Sequence, residues 1–371
     1  MGSGSIFPPD LSTVRDDIRA IAAYAVPDAT GFVKLDAMEN PFGLPASLQR
    51  ALADRVAAVA LNRYPPADPR AFKAKLAAAM GVPAGMALML GNGSDELIHL
   101  VIQACAKPGA LVLSPWPSFV MYELSAKFDG CRFAGVPLAH DFSLDLDAML
   151  AAVERERPAV TFIAYPNNPT GNLFSREAIE RIRAAAAANT APGLVIIDEA
   201  YLPFAGDSFM PQLGGAPNLL VLRTLSKLGL AGIRLGYLAG HPDLIAQFDK
   251  VRPPYNVNAL TLAAAELMLD HLDELDRQAA LIRAERERVL AALRAIPGVT
   301  AFDSAANFIL FRVTDANAVF AGLKARGILI KNVSRAHPLL ADCLRTTIGA
   351  PGENDAFLAA LAAALAEFPS R

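Results

Sequence analysis

Seven short apolar runs, at residues 86–90, 110–114, 131–136, 159–165, 193–197, 218–222 and 235–239, recur through the middle of the chain. Stretches with helical spacing lie between several of them, at 95–106, 118–128, 145–156 and 175–189. Continuous apolar runs of this length suit strands buried on both faces, and their alternation with helices predicts a doubly wound, mostly parallel α/β sheet. The last two runs are joined by a Gly-containing loop around Ser226 and Lys227 instead of a helix, so the sheet is expected to be mixed. Ahead of this core, helices are expected at 11–24, 46–60 and 69–80, with a short strand at Lys34 between the first two. A long helical stretch at 259–296 is closed by Pro297 and Gly298. Beyond it, apolar runs at 307–313, 327–333 and 343–348 and amphipathic segments at 315–326 and 353–368 predict a second, smaller α+β domain. The expected division is an N-terminal arm at 1–40, a large α/β domain at 41–258 and a small domain at 259–371.

A chain of 371 residues is long enough for two such domains, each with its own core. Its net charge of −3 and pI near 6.0 give no reason to expect nucleic acid or an anionic membrane as a partner. No apolar run reaches the length of a membrane span, and Met1 to Ser5 lack the charged and apolar parts of a signal peptide. Cys105, Cys131 and Cys343 are odd in number and far apart, which suits a reducing cytoplasm. Neither they nor the five histidines have metal-ligand spacing, and no metal is expected.

In open α/β sheets, ligands sit outside the carboxyl ends of the strands, and the unusual residues of this chain fall at those ends. Gly91-Asn92-Gly93-Ser94-Asp95 follows a strand and opens a helix, where backbone N–H groups can meet an anion. Asn168 follows the run 159–165 within Asn-Pro-Thr-Gly. Asp198, at the end of an apolar run, is a carboxylate that needs a partner if buried; Tyr201 follows three residues later. Ser226 and Lys227 enter a loop that contains glycines and leads to Arg234. Desolvation would lower the pKa of such a lysine, and a neutral lysine amine can attack an aldehyde. A serine and an arginine beside it can hold an anionic group on the same molecule. Aldehyde and phosphate together describe pyridoxal 5′-phosphate.

The ordered set Asn-Pro-Thr-Gly (168–171), Asp-Glu-Ala-Tyr (198–201), Ser226-Lys227 and Arg234 with its following Gly236 resembles the fold-type I, pyridoxal-phosphate-dependent aminotransferases over nearly the whole chain. The resemblance implies a mostly parallel seven-stranded sheet in the large domain. It implies that Lys227 bonds covalently to the cofactor and carries the proton of the reaction, and that Asp198 pairs with the pyridine nitrogen. Tyr201 and Asn168 would bond the phenolate oxygen, and Phe119 would stack on the ring. Ser226, Arg234 and the backbone of Ser94 and Asp95 would hold the phosphate.

Within that family the stretches 34–41, Arg63-Tyr64-Pro65, 306–312 and 343–349 look most like the histidinol-phosphate aminotransferases. This implies a homodimer in which Tyr64 reaches the cofactor phosphate of the other subunit. Tyr24, Asn40, Lys331 and Arg345 would contact the substrate. The expected reaction is the transamination of L-histidinol phosphate with 2-oxoglutarate in histidine biosynthesis. An aromatic amino-acid aminotransferase and a threonine-phosphate decarboxylase share the motifs and stand as alternatives. The loop from Lys227 to Arg234 is one residue shorter than in many relatives, and Lys331 stands where many carry an arginine. Arg335 is expected to be a solvated loop charge, and Met38 to fill space.

Overall fold

A computed structural model describes residues 9–23 and 26–367. The seven apolar runs become the strands β1 (Ala87–Gly91), β2 (Leu111–Trp116), β3 (Arg132–Pro137), β4 (Val160–Ala164), β5 (Leu194–Asp198), β6 (Leu219–Thr224) and β7 (Gly236–Gly240). They form one sheet in the order β1-β7-β6-β5-β4-β2-β3. β7 is antiparallel to both of its neighbours, and every other pairing is parallel. The loop that replaces a crossover helix between β6 and β7 accounts for this reversal, because a short connection can only return antiparallel. Helices cover both faces, so β4 and β6 are buried along their length, as is β5 from Val195 onward. Leu220, Leu222 and Phe162 face one apolar cluster; Leu219, Val221 and Ile163 face the other.

The C-terminal region forms a four-stranded antiparallel sheet from β8 (Thr300–Ala301), β9 (Phe308–Arg312), β11 (Lys331–Asn332) and β12 (Cys343–Thr347). The run at 327–333 is not one strand. Its first part, β10 (Ile328–Leu329), pairs in parallel with Val33–Lys34, whereas β11 pairs antiparallel with Arg345 and Leu344. The chain changes partner at Ile330, which is itself buried. Leu35 and Met38 thereby join the core of this region.

Two other expectations change. The helix expected at 11–24 is a single turn, Asp16–Arg19, with no buried residue. Short helices in water depend on packing an apolar face, and Val14 is left exposed. The stretch 259–296 divides into helices Ala259–Met268 and Leu272–Ala295 around a 3₁₀ turn at Leu269–His271. In that turn Leu269 is buried and Asp270 pairs with Lys75 at 2.7 Å. Among the described residues no helix is long and apolar enough to cross a membrane.

Candidate active site

Because β7 alone runs backwards, the carboxyl ends of β1, β4, β5 and β6 lie along one edge of the sheet, beside the start of β7. A pocket of about 580 Å³ opens there, lined by Ser94, Asp95, Phe119, Asn168, Asp198, Tyr201, Ser226, Lys227 and Arg234 among others. Nine residues drawn from six separate stretches of sequence are brought together by topology alone.

Asp198 ends β5 and is 4 % exposed. One carboxylate oxygen accepts the Tyr122 hydroxyl at 2.7 Å; the other accepts the Ala200 N–H at 3.1 Å. Burial outweighs these two bonds and pushes the carboxyl up to about 6. A shift of that size corresponds to roughly 3 kcal/mol against the charged form. A cation about 4 Å away would return about 4 kcal/mol at an effective dielectric of 20, so the site favours a positively charged ligand group. Tyr201 is also buried, and its hydroxyl accepts Asn168 Nδ2 at 3.2 Å. Burial raises its pKa, so the phenol keeps its proton.

Lys227 lies in a tight turn, Ser226–Leu230, made possible by Gly229 at φ +129°. Its Nζ donates to the Ala37 carbonyl at 3.0 Å. Burial first, and then the Arg345 charge, lower its pKa to about 8. Near neutral pH a usable fraction of this amine is unprotonated, as a nucleophile or base requires.

The opposite end of the pocket suits an anion. Ser94 is the first residue of helix Ser94–Cys105, so its N–H and that of Asp95 have no partner within the helix. A Cβ on Gly236 would lie 2.7 Å from the Ser94 nitrogen, so only glycine lets β7 pass this helix start. Arg234 closes the cradle: one guanidinium nitrogen is 3.3 Å from Ser226 Oγ, and the other 3.6 Å from Asp95. Arg234 takes this position in the left-handed region, at φ +54°. The anion cradle, the partly neutral lysine, the buried carboxylate and the aromatic wall of Phe119 together fit pyridoxal phosphate.

A second cavity, of about 940 Å³, shares Met38, Phe119 and Asn168 with the first. Lys331 and Arg345 line it, together with Trp116, Val333 and Leu340. The two cations are direct cross-strand partners in β11 and β12. An ammonium and a guanidinium on one wall can both meet an anionic ligand group. Arg345 is 7 % exposed, lies over the Phe308 ring and donates to Asn168 Oδ1 at 2.5 Å and to the Asp36 carbonyl at 3.0 Å. Its guanidinium therefore connects the two cavities. Met38, expected only to fill space, forms part of their common wall, held at φ +54°. Arg335 is exposed and does not line the cavity.

Two other expected residues lie elsewhere. Asn40 lines neither cavity: its amide donates to Gln278 Oε1 at 2.9 Å and to the Leu228 carbonyl at 3.4 Å, tying the lysine turn to helix Leu272–Ala295. Tyr64 is 82 % exposed and stacks on Tyr255 at 4.7 Å, outside the pocket of its own chain. Tyr24 lies outside the described residues. Tyr122, conversely, is not marked as a site residue by the sequence, because an aromatic in an amphipathic helix gives no sign of the carboxylate it will meet.

Residues 30–362 match the family of class I and II aminotransferases. The chain is 59 % identical, over 96 % of its length and 95 % of the relative's, to histidinol-phosphate aminotransferase 1 of Ralstonia nicotianae. It is 58 % identical to the histidinol-phosphate aminotransferase of Chromobacterium violaceum, covering 94 % of this chain and 96 % of that one. Among solved structures, the histidinol-phosphate aminotransferase of Sinorhizobium meliloti in complex with pyridoxal-5′-phosphate superposes with a TM-score of 0.84 at 27 % identity, covering 98 % of this chain and all of that one.

Proposed function

We propose, from the premise that this chain belongs to the class I and II aminotransferases, that it is a pyridoxal-phosphate-dependent enzyme that moves the amino group of L-histidinol phosphate to 2-oxoglutarate, giving imidazole acetol phosphate and L-glutamate in histidine biosynthesis. The observation that carries this reading is the joining of a lysine-and-carboxylate pocket to a cavity with paired cations, through Asn168 and Arg345. Relatives named for this reaction at 54 to 59 % identity support it, and neither alternative has a comparable feature in its favour.

Bound in the first pocket, pyridoxal phosphate supplies a carbonyl carbon that receives the amino group and a cationic ring that takes up the electrons of a broken C–H bond. The rest falls to the chain. Asp198 holds the ring nitrogen protonated. Asn168 and Tyr201 donate to the ring oxygen, and Phe119 fixes the ring plane. Ser94, Asp95, Ser226 and Arg234 anchor the phosphate. Lys227 would bond covalently to the cofactor and, as a free amine, would carry the proton taken from the amine-bearing carbon. Arg345 and Lys331 bind the substrate phosphate, and then the distal carboxylate of glutamate. A guanidinium fork accommodates both anions, which lets one site serve two substrates in turn.

The acting unit on this reading is a homodimer. Tyr64, Leu61 and Leu260 form an exposed apolar surface, and pairing there would bring Tyr64 to the cofactor phosphate of the second copy. The cytoplasm, which keeps the free thiols Cys105, Cys131 and Cys343 reduced, suits it.

A half-reaction tests the assignment. The protein loaded with pyridoxal phosphate is mixed with L-histidinol phosphate in the absence of any keto acid. Conversion to the pyridoxamine form, faster than with phenylalanine or tyrosine, is the expected result. A faster conversion with the aromatic amino acids would keep the chemistry and overturn the substrate.

A further inference from the structure

Tyr122 has an environment that packing alone does not require. It lies on helix Met121–Phe128, has no exposed surface, and stacks on Phe162 of β4 at 4.7 Å with the rings 9° from parallel. Its edge meets Phe119 at 5.7 Å. A phenylalanine would satisfy all of these contacts. The hydroxyl makes one bond, 2.7 Å long, to Asp198.

We propose that Tyr122 is a positioning residue that acts through Asp198: its phenol keeps that carboxylate ionised and fixed in orientation, so that the carboxylate can hold a protonated pyridine nitrogen. This inference rests on the pyridoxal-phosphate reading above. Two N–H or O–H donors reach Asp198, Tyr122 and the Ala200 amide, and the amide cannot be removed by changing a side chain. Asp95 and Glu199 both oppose ionisation. Glu199 is held off by a buried ion pair with Arg223 at 2.8 Å. Tyr201 bonds Asn168 and not Asp198. The Tyr122 phenol keeps its proton, since burial and the neighbouring carboxylate both raise its pKa. It is therefore a donor throughout the working pH range. Because Tyr122 also touches Phe119, one side chain ties the group that meets the ring nitrogen to the group that lines the ring's face.

The test compares two ligands on apoprotein: pyridoxal phosphate and its 1-deaza analogue, which has carbon in place of the ring nitrogen. Wild-type apoprotein should bind pyridoxal phosphate more tightly than the analogue. In Tyr122→Phe that preference should fall by roughly tenfold, the size expected for one hydrogen bond to a charged group, while affinity for the analogue stays within about twofold. The acid limb of the loaded enzyme's pH profile should move to higher pH, because losing a donor to the carboxylate raises its pKa. Should the phenylalanine variant not fold, 3,5-difluorotyrosine at position 122, a stronger donor, should move that limb to lower pH. Equal losses for both ligands, or an unmoved pH limb, would make Tyr122 a packing residue only and overturn the proposal. A wild-type protein without preference between the two ligands would instead overturn the role given to Asp198.

Discussion

Around Lys227 the polar groups hold one another: Asp198 accepts from Tyr122 and Ala200, Tyr201 accepts from Asn168, and Ser226 lies beside Arg234. The adjoining cavity is wider, its walls are largely apolar, and its two cations face each other across β11 and β12. The first arrangement is complementary to one rigid ligand that stays, with a fixed partner for each of its polar atoms. The second sets two cations into one wide wall, which suits substrates that differ in shape and share only a negative end. The border between them is Asn168 and Arg345, bonded side chain to side chain.

Changes in the first pocket should therefore abolish chemistry for every substrate, whereas changes in the second should separate the substrates. The largest effect is expected for Lys227→Ala: steady-state turnover should fall by at least ~10³-fold with either amino donor, while the apoprotein still takes up pyridoxal phosphate without a covalent bond. Next comes Arg345→Gln. It removes the guanidinium that spans the border, and kcat/KM for histidinol phosphate and for glutamate should both fall by about 100-fold, the effect of one or two charge-assisted bonds. Lys331→Ala should be milder and selective, a loss of roughly tenfold in kcat/KM for histidinol phosphate with a smaller change for glutamate. A Lys331 variant that impaired both donors equally would erase the distinction between the two cavities.

A pH series sharpens the same contrast. Lys227 is held near 8 by burial and by Arg345. As its neutral form is the nucleophile, the rate at which apoprotein forms the covalent bond to pyridoxal phosphate should rise with pH and level off above about 8. In Arg345→Gln one of the two main depressing influences is gone, so the midpoint should move up. The check is absorbance-monitored capture kinetics across the pH range.

The large sheet was legible because its strands are buried on both faces. A run such as Leu219 to Leu222 has few other structures open to it, and the short loop after it announces the antiparallel β7. The pocket beside Lys227 was legible for the same reason, since its polar residues stand at the ends of those runs. The C-terminal region was less so. The run at 327–333 looks continuous, but its switch of partner at Ile330 depends on Val33–Lys34, some 300 residues away. Asn40 sits in a motif that resembles substrate-binding stretches, yet its amide is taken by Gln278 and by the backbone beside Gly229. Tyr122 shows the converse: its apolar setting hid a single polar contact that only the fold creates.

On the reading proposed above, Lys227 is the amine that meets the cofactor. The most direct test is to load the protein with pyridoxal phosphate, reduce it with borohydride, digest it and locate the modified lysine by mass spectrometry. The modification is predicted on Lys227 alone. Modification of a different lysine, Lys331 above all, or of none, would contradict the account.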